Sequence, residues 1–292
     1  MDRKPIPSPW AGALLGLALA VFGWGCAAVP DGASRDKALA LAGAAGLAPV
    51  LLPTSSMPLA GFLRAGHGDT LTVYIEGDGR AYLDRRTPSP DPTPADPLGL
   101  LLASRDPAPN LLALARPGQY LSAEALAGCN PSWWTLGRFS PEVIAAVSEA
   151  LDLAKARTGA QSLRLRGYSG GGGLAVLVAV GRKDVRDIVT VAGNLDTGAW
   201  TALHGVTPLA GSRNPADAAG EVAAIAQTHY VGSKDTITPP ELCRRYVARL
   251  PAGSPARCVV IEGVGHHDGW AAAWERIVRQ PVSAGAGPDA PR

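Results

Sequence analysis

Ser169 is the residue of this sequence best placed to do chemistry. It sits in Gly167-Tyr168-Ser169-Gly170-Gly171, a Gly-x-Ser-x-Gly pentapeptide. A serine hydroxyl is a weak nucleophile until a base takes its proton and an acid orients that base. The chemistry to look for is therefore attack on an acyl group, with a histidine and a carboxylate supplied from elsewhere in the chain. Leu163–Gly167 reads as a short apolar strand and Gly171–Val180 as a helix, which puts Ser169 on a strand-to-helix turn. Flanking glycines permit so sharp a turn. The helix N-terminus then lends partial positive charge to an oxyanion forming beside it.

The base has five candidates. His229 lies inside an apolar strand and reads as packed core, His67 precedes the first strong strand, and His204 falls in an irregular stretch. His266 and His267 follow the last strand, where a loop can reach the C-terminal edge of a sheet. Gly263-x-Gly265 gives a tight approach to His266, the preferred base, with His267 as the alternative. Asp235, directly after a strand and before a helix starting near Pro239, is the preferred acid, with Asp196 as its rival. The oxyanion site needs two backbone amides. Gly170 supplies one, and the Gly77-Asp78-Gly79 turn supplies the other from Asp78, or alternatively from Gly79.

The elements that must carry these residues alternate. Apolar segments at 50–52, 59–63, 71–76, 111–115, 163–167, 187–191, 225–231 and 258–261 read as strands. Helices are expected over 35–47, 141–157, 171–180, 240–250 and 270–278, and the Pro- and Asp-rich stretch 87–97 as a loop. Strands without strict alternation, separated by helices, imply an α/β fold: a doubly wound, mostly parallel sheet with helices on both faces. Residues 34–279 fit one such domain.

Taken together, these ordered motifs resemble the α/β-hydrolase superfamily over roughly residues 50–278. The resemblance implies a serine hydrolase that cleaves carboxylic ester or related acyl bonds through an acyl-enzyme. Peptidase or amidase activity uses the same triad, and a non-catalytic envelope binding module would share the fold. Tyr74-Ile-Glu-Gly-Asp-Gly79, Asp91-Pro-Thr-Pro94, Ala115-Arg-Pro-Gly-Gln-Tyr120, Trp133-Trp-Thr135 with Arg138-Phe139, and Val191-Ala-Gly-Asn-Leu-Asp196 are similar to segments of little-characterised bacterial secreted hydrolases. That likeness implies a cysteine where Gly118 stands, bonded to the one matching Cys129; here Cys129 lacks that partner. Tyr120, Trp133, Trp134, Trp200 and Trp270 fall beside the expected site, as a small-molecule acyl substrate would require. No long apolar lid is evident, which favours small or medium acyl groups.

Arg3 and Lys4 followed by an apolar run from Trp10 to Val29 read as an export signal. Gly25-Cys26 at its end resembles a bacterial lipoprotein signal, with Cys26 lipidated and the chain held to a membrane. Cleavage around Cys26-Ala27-Ala28, or an uncleaved anchor, are the alternatives. Residues 1–26 are thus signal or anchor, 27–33 a linker and 280–292 a disordered tail, and the folded part is expected in the cell envelope. Hydrophobic residues make up 47% of the 292 and charged residues 18%, which excludes a disordered chain. A net charge of +2 without a Lys/Arg cluster argues against nucleic acid. Of the four cysteines, Cys243 and Cys258 are the expected pair. No cluster has metal-ligand spacing, and neither metal nor organic cofactor is expected.

Overall fold

The computed structural model describes residue 1 and residues 32–279. Cys26, the apolar run around it and the tail at 280–292 lie outside the described residues. Eight strands are β1 (Ala48–Pro53), β2 (Pro58–Arg64), β3 (Thr70–Ile75), β4 (Leu111–Leu114), β5 (Ser162–Tyr168), β6 (Val185–Val191), β7 (Ala226–Gly232) and β8 (Ala256–Ile261). They form one sheet in the order β1-β2-β4-β3-β5-β6-β7-β8. β2 runs antiparallel to both its neighbours, and every other pairing is parallel.

Both faces of the sheet are covered, and β3 shows why its sequence does not alternate. Leu71, Val73 and Ile75 enter one apolar core while Tyr74 enters another, all of them buried. The first core is shared with α4 (Pro141–Thr158) and α5 (Gly170–Ala179), the second with α1 (Gly32–Ala44), α2 (Leu98–Ser104), α3 (Ala123–Ala127) and α8 (Trp270–Arg279). α4 begins with Ser140, whose side chain accepts from the Val143 amide, followed by Pro141 in the first turn. It ends at Gly159 with φ 71°, the left-handed cap that glycine adopts without strain. Val143, Val147, Ala150, Leu151 and Ala154 are the buried stripe between. α5 is buried on every side, so its run of glycine and aliphatic residues has no polar face.

The structure differs from the sequence expectations at several places. α1 starts at Gly32 inside the expected linker and stops at Ala44, because residues from Ala48 onward pair with β2. His204 is not in an irregular stretch. It ends α6 (Thr197–His204), a helix capped by the Asp196 side chain and closed by Gly205 at φ 57°. α2 was not anticipated, and it has no local side-chain cap. Its first amides instead donate to Glu76, whose carboxylate reaches Gly99 N at 2.9 Å and Leu100 N at 3.1 Å from the end of β3.

His229 on β7 is core, as its apolar neighbours imply. Gln227 Oε1 accepts from the Tyr246 hydroxyl at 2.9 Å and lies 3.2 Å from His229 Nε2, so that nitrogen carries the proton. Nδ1 then accepts from Thr190 Oγ1 at 2.9 Å. Burial pushes the imidazole from its ordinary 6.5 down to about 3. The unfolded chain takes up this proton below pH 6.5 and the folded chain does not, so stability falls as pH drops through that window toward 3. Between pH 7 and pH 5 the residue is expected to remove about 2 kcal/mol. Urea unfolding at the two pH values should show that loss in the wild type, and His229→Gln should reduce it. Cys243 on α7 (Pro240–Val247) is bonded to Cys258 on β8, 15 residues away in sequence. Closing a loop of that size is worth about 3 kcal/mol. Replacing both cysteines by serine should lower the urea midpoint accordingly, and an unchanged midpoint would contradict it.

Candidate active site

The parallel strands end along one edge, and the loops leaving that edge carry Asp78, Ser169, Asp235 and His266. Ser169 stands between β5 and α5 with φ 51° and ψ −121°, a backbone that a residue with a Cβ adopts only under strain. The neighbouring glycines are required by close packing. A Cβ on Gly167 would lie 2.3 Å from Gly171 O, and one on Gly171 would lie 2.2 Å from Ile75 O. The turn is held by Ser169 N donating to Val191 O at 2.9 Å and by Asn194 N donating to Ser169 O at 3.0 Å.

His266 reaches this serine from the loop after β8. Its Nε2 is 3.0 Å from Ser169 Oγ, and its Nδ1 is 2.8 Å from Asp235 Oδ2. The imidazole thus joins the hydroxyl to the carboxylate. Trp270, buried at the start of α8, donates its indole N–H to the carbonyls of Gly265 and His266 at 2.9 and 3.1 Å. That contact fixes the backbone under the imidazole. His267 turns the other way, with Nδ1 2.7 Å from the Tyr168 hydroxyl. Burial and the charge of His266 lower its pKa.

Asp235 is oriented by its own turn. Oδ1 accepts from the amides of Ile237 and Thr238, both at 2.8 Å, and Oδ2 also takes a hydrogen bond from Thr238 Oγ1 at 2.9 Å. Burial alone would raise its pKa. The hydrogen bond and charge of His266, with the Thr238 amide and hydroxyl, more than offset this and hold the carboxyl below its ordinary value. The rival Asp196 is otherwise engaged: Oδ1 caps α6 through Ala199 N at 3.1 Å and accepts from Asn214 Nδ2 at 3.2 Å. The structure therefore brings Asp235, not Asp196, to His266.

Gly77 and Asp78 lie over the nucleophile turn. A Cβ on Gly77 would sit 3.4 Å from Ser169 Cβ, and one on Gly170 would sit 2.1 Å from Asp78 Oδ1. As the first residue of α5, Gly170 has an amide with no partner inside the helix. Gly79 lies beyond this contact, with φ 63° and packed against Pro92. The Asp78 carboxylate binds Arg116 Nη1 at 3.1 Å and the Arg138 guanidinium. Burial pushes its pKa up, but the two arginines outweigh that and keep it low.

Sequence reasoning did not find Thr238, Tyr168, Arg116, Arg138 or Glu76 as partners of the site. Only Thr238 had a local signal: an Asp at a turn bonds the amide two residues on, here Ile237, and that Asx-turn brings the next residue against the same carboxylate. Of the aromatics expected beside the site, Tyr120, Trp134 and Trp270 are buried in the second core, where Tyr120 lines a small cavity with Glu76 and Leu100. Trp133 and Trp200 are half-buried, and the Trp200 indole donates to Ile237 O at 2.9 Å, two residues from Asp235. At Gly118, where the resemblance implied a cysteine, φ is 83° and a Cβ would lie 2.8 Å from Pro92 Cγ. Cys129 is a free thiol. Among the described residues no group of His, Cys, Asp and Glu could hold a metal ion.

Comparison with family models gives no match, and neither does comparison with curated proteins. Solved structures do match. An α/β serine hydrolase homologue from Coxiella burnetii is 13% identical, with 79% of this chain and 94% of that one covered, at TM-score 0.56. Est1E from Butyrivibrio proteoclasticus with ferulic acid bound is 12% identical, with coverage of 79% and 96% and TM-score 0.58. A puromycin hydrolase is 19% identical at TM-score 0.59, over 80% of this chain but only 38% of that longer one. At such identities the likeness is one of backbone. Together with the eight-stranded, mostly parallel sheet covered by helices, it shows that this chain has the α/β-hydrolase fold.

Proposed function

We propose that this protein is a serine hydrolase acting on carboxylic esters or related acyl bonds, with Ser169 as nucleophile, His266 as base and Asp235 as orienting acid. The observation that carries the proposal is the imidazole of His266, within hydrogen-bond reach of both Ser169 Oγ and Asp235 Oδ2. In the first half-reaction His266 Nε2 takes the hydroxyl proton while Ser169 Oγ attacks the carbonyl carbon. The imidazolium that forms is stabilised through Nδ1–H to Asp235. The amides of Gly170 and Asp78 receive the oxyanion, and His266 then returns the proton to the leaving group. Water repeats the sequence on the acyl-enzyme.

Esters of small or medium acyl groups are the favoured substrates. Est1E, with its bound ferulic acid, is an instance of this fold accepting a compact acid, and a lidless α/β serine hydrolase from Xanthomonas campestris is another neighbour. The puromycin hydrolase is the reason to carry amide or peptide cleavage as a second reading. We also propose that the protein is exported and held to the envelope through Cys26. The Cys243–Cys258 disulfide supports an oxidising compartment. No helix among the described residues is long and apolar enough to cross a membrane.

Turnover of p-nitrophenyl acetate and butyrate tests the activity. Ser169→Ala, His266→Ala and Asp235→Asn should each lower kcat by roughly 10⁴-fold, and any two together by little more, because the three act as a unit. A fluorophosphonate should label the wild type and not Ser169→Ala. An inert wild type that also refuses the label would leave a binding module on this fold as the better reading. Turnover of a peptide p-nitroanilide that is lost in Ser169→Ala would select the second. Membrane fractionation of Cys26→Ser tests the anchor, and release into the soluble fraction is expected.

A further inference from the structure

Asp78, Arg116 and Arg138 come from three different loops at the C-terminal edge of the sheet, and they meet in one cluster. Arg116 and Arg138 are both buried. Beyond the two ion pairs to Asp78, Arg116 Nη2 donates to Arg138 O at 2.7 Å, and Arg138 Nε donates to Thr135 O at 2.7 Å. The Arg116 guanidinium also lies 5.1 Å from the centre of the Phe139 ring. Two buried cations facing one carboxylate leave the cluster with a net positive charge, an arrangement that burial opposes unless it serves the site.

The same loop is held from its backbone. Gln119, fully buried, donates Nε2 to Gly77 O at 2.9 Å, and its Oε1 accepts from Arg116 N at 3.0 Å. Gly77 N is bound at 3.0 Å by Glu76 Oε1. In a trans peptide the C=O and the following N–H point in opposite directions. Fixing Gly77 O on Gln119 therefore aims the Asp78 N–H away from Gln119. Gly77 meanwhile packs against Ser169, and the Asp78 carboxylate packs against Gly170.

We propose that Arg116 and Arg138 are positioning residues. They clamp the Asp78 side chain so that the Gly77–Asp78 peptide presents its N–H to the oxyanion, and they neutralise a carboxylate that would otherwise repel it. The proposal rests on the hydrolase reading above. The cluster contributes to the transition state rather than to substrate binding, since the oxyanion exists only there.

The test is steady-state kinetics of the full chain on p-nitrophenyl butyrate, with inhibition by butylboronic acid, which forms a tetrahedral adduct on the serine. Arg138→Met should lower kcat by roughly 10²-fold with KM changed less than about threefold, and boronate affinity should weaken in parallel. Arg138→Lys, which keeps the charge, should recover at least about tenfold of that loss. Adding Asp78→Asn to Arg138→Met should also recover activity, because it removes a carboxylate left with Arg116 as its one charged partner in the cluster. If Arg138→Met fails to fold, as circular dichroism would reveal, Arg138→Lys and Asp78→Asn singly carry the same comparison: kcat and boronate affinity must fall together while KM holds. Loss expressed in KM, or kcat unchanged in a folded variant, overturns the positioning role while leaving the hydrolase reading intact. An inert wild type that no fluorophosphonate labels overturns both.

Discussion

Ser169 adopts a backbone conformation that a side chain disfavours, and the surrounding chain is arranged so that no relaxed alternative is open to it. Its amide is tied to β6 through Val191 O and its carbonyl to the Asn194 amide on the loop beyond β6. Gly167 and Gly171 are in backbone contact with each other, and Gly171 also touches the end of β3. Strand, helix and neighbouring strands thus converge on one turn with no room for a methyl group. The half-buried serine hydroxyl stands beyond that crowding at the sheet edge, within reach of His266.

Around this turn lie several buried or half-buried carboxylates, each partnered differently. Glu76 accepts only backbone amides and sits at the start of α2, where burial raises its pKa despite those bonds. Asp196 caps α6 and is approached by Arg249 at 3.5 Å. Asp78 is paired with two arginines, while Asp235 has no arginine partner and instead holds two amides, a threonine hydroxyl and His266. That difference separates a carboxylate suited to receiving charge from an imidazolium from carboxylates whose charge is already answered. Chain order alone could not make this distinction between Asp196 and Asp235, since both follow strands and precede helices.

β3 was legible because burial on both faces leaves a nearly unbroken buried run in the sequence, as in Leu71–Glu76, and β5 because Leu163 and Leu165 alternate with the part-exposed Arg164 and Arg166. α4 was legible because its cap, first-turn proline and terminal glycine are local. α2 was not, because the group that satisfies its N-terminus is Glu76, far back along the chain. α6 is not legible although its cap is local, because its residues carry a short and weakly apolar pattern. The aromatics fared least well: an indole or phenol near a motif in sequence can pack inward, as Trp270 and Trp134 do.

By itself the sequence determined the alternation of elements, the glycine-flanked turn at Ser169 and the order in which an acid and a base follow it. These are properties of neighbouring residues, and hydrophobic patterning and turn chemistry act at that range. Tertiary structure alone decided that His266 rather than His267 meets Ser169, that Asp235 rather than Asp196 meets His266, and that Arg116 and Arg138 close on Asp78. The reason is that hydrogen bonds and ion pairs reward a fit of a few tenths of an ångström between side chains, and only the packed sheet brings residues so far apart in sequence within that reach.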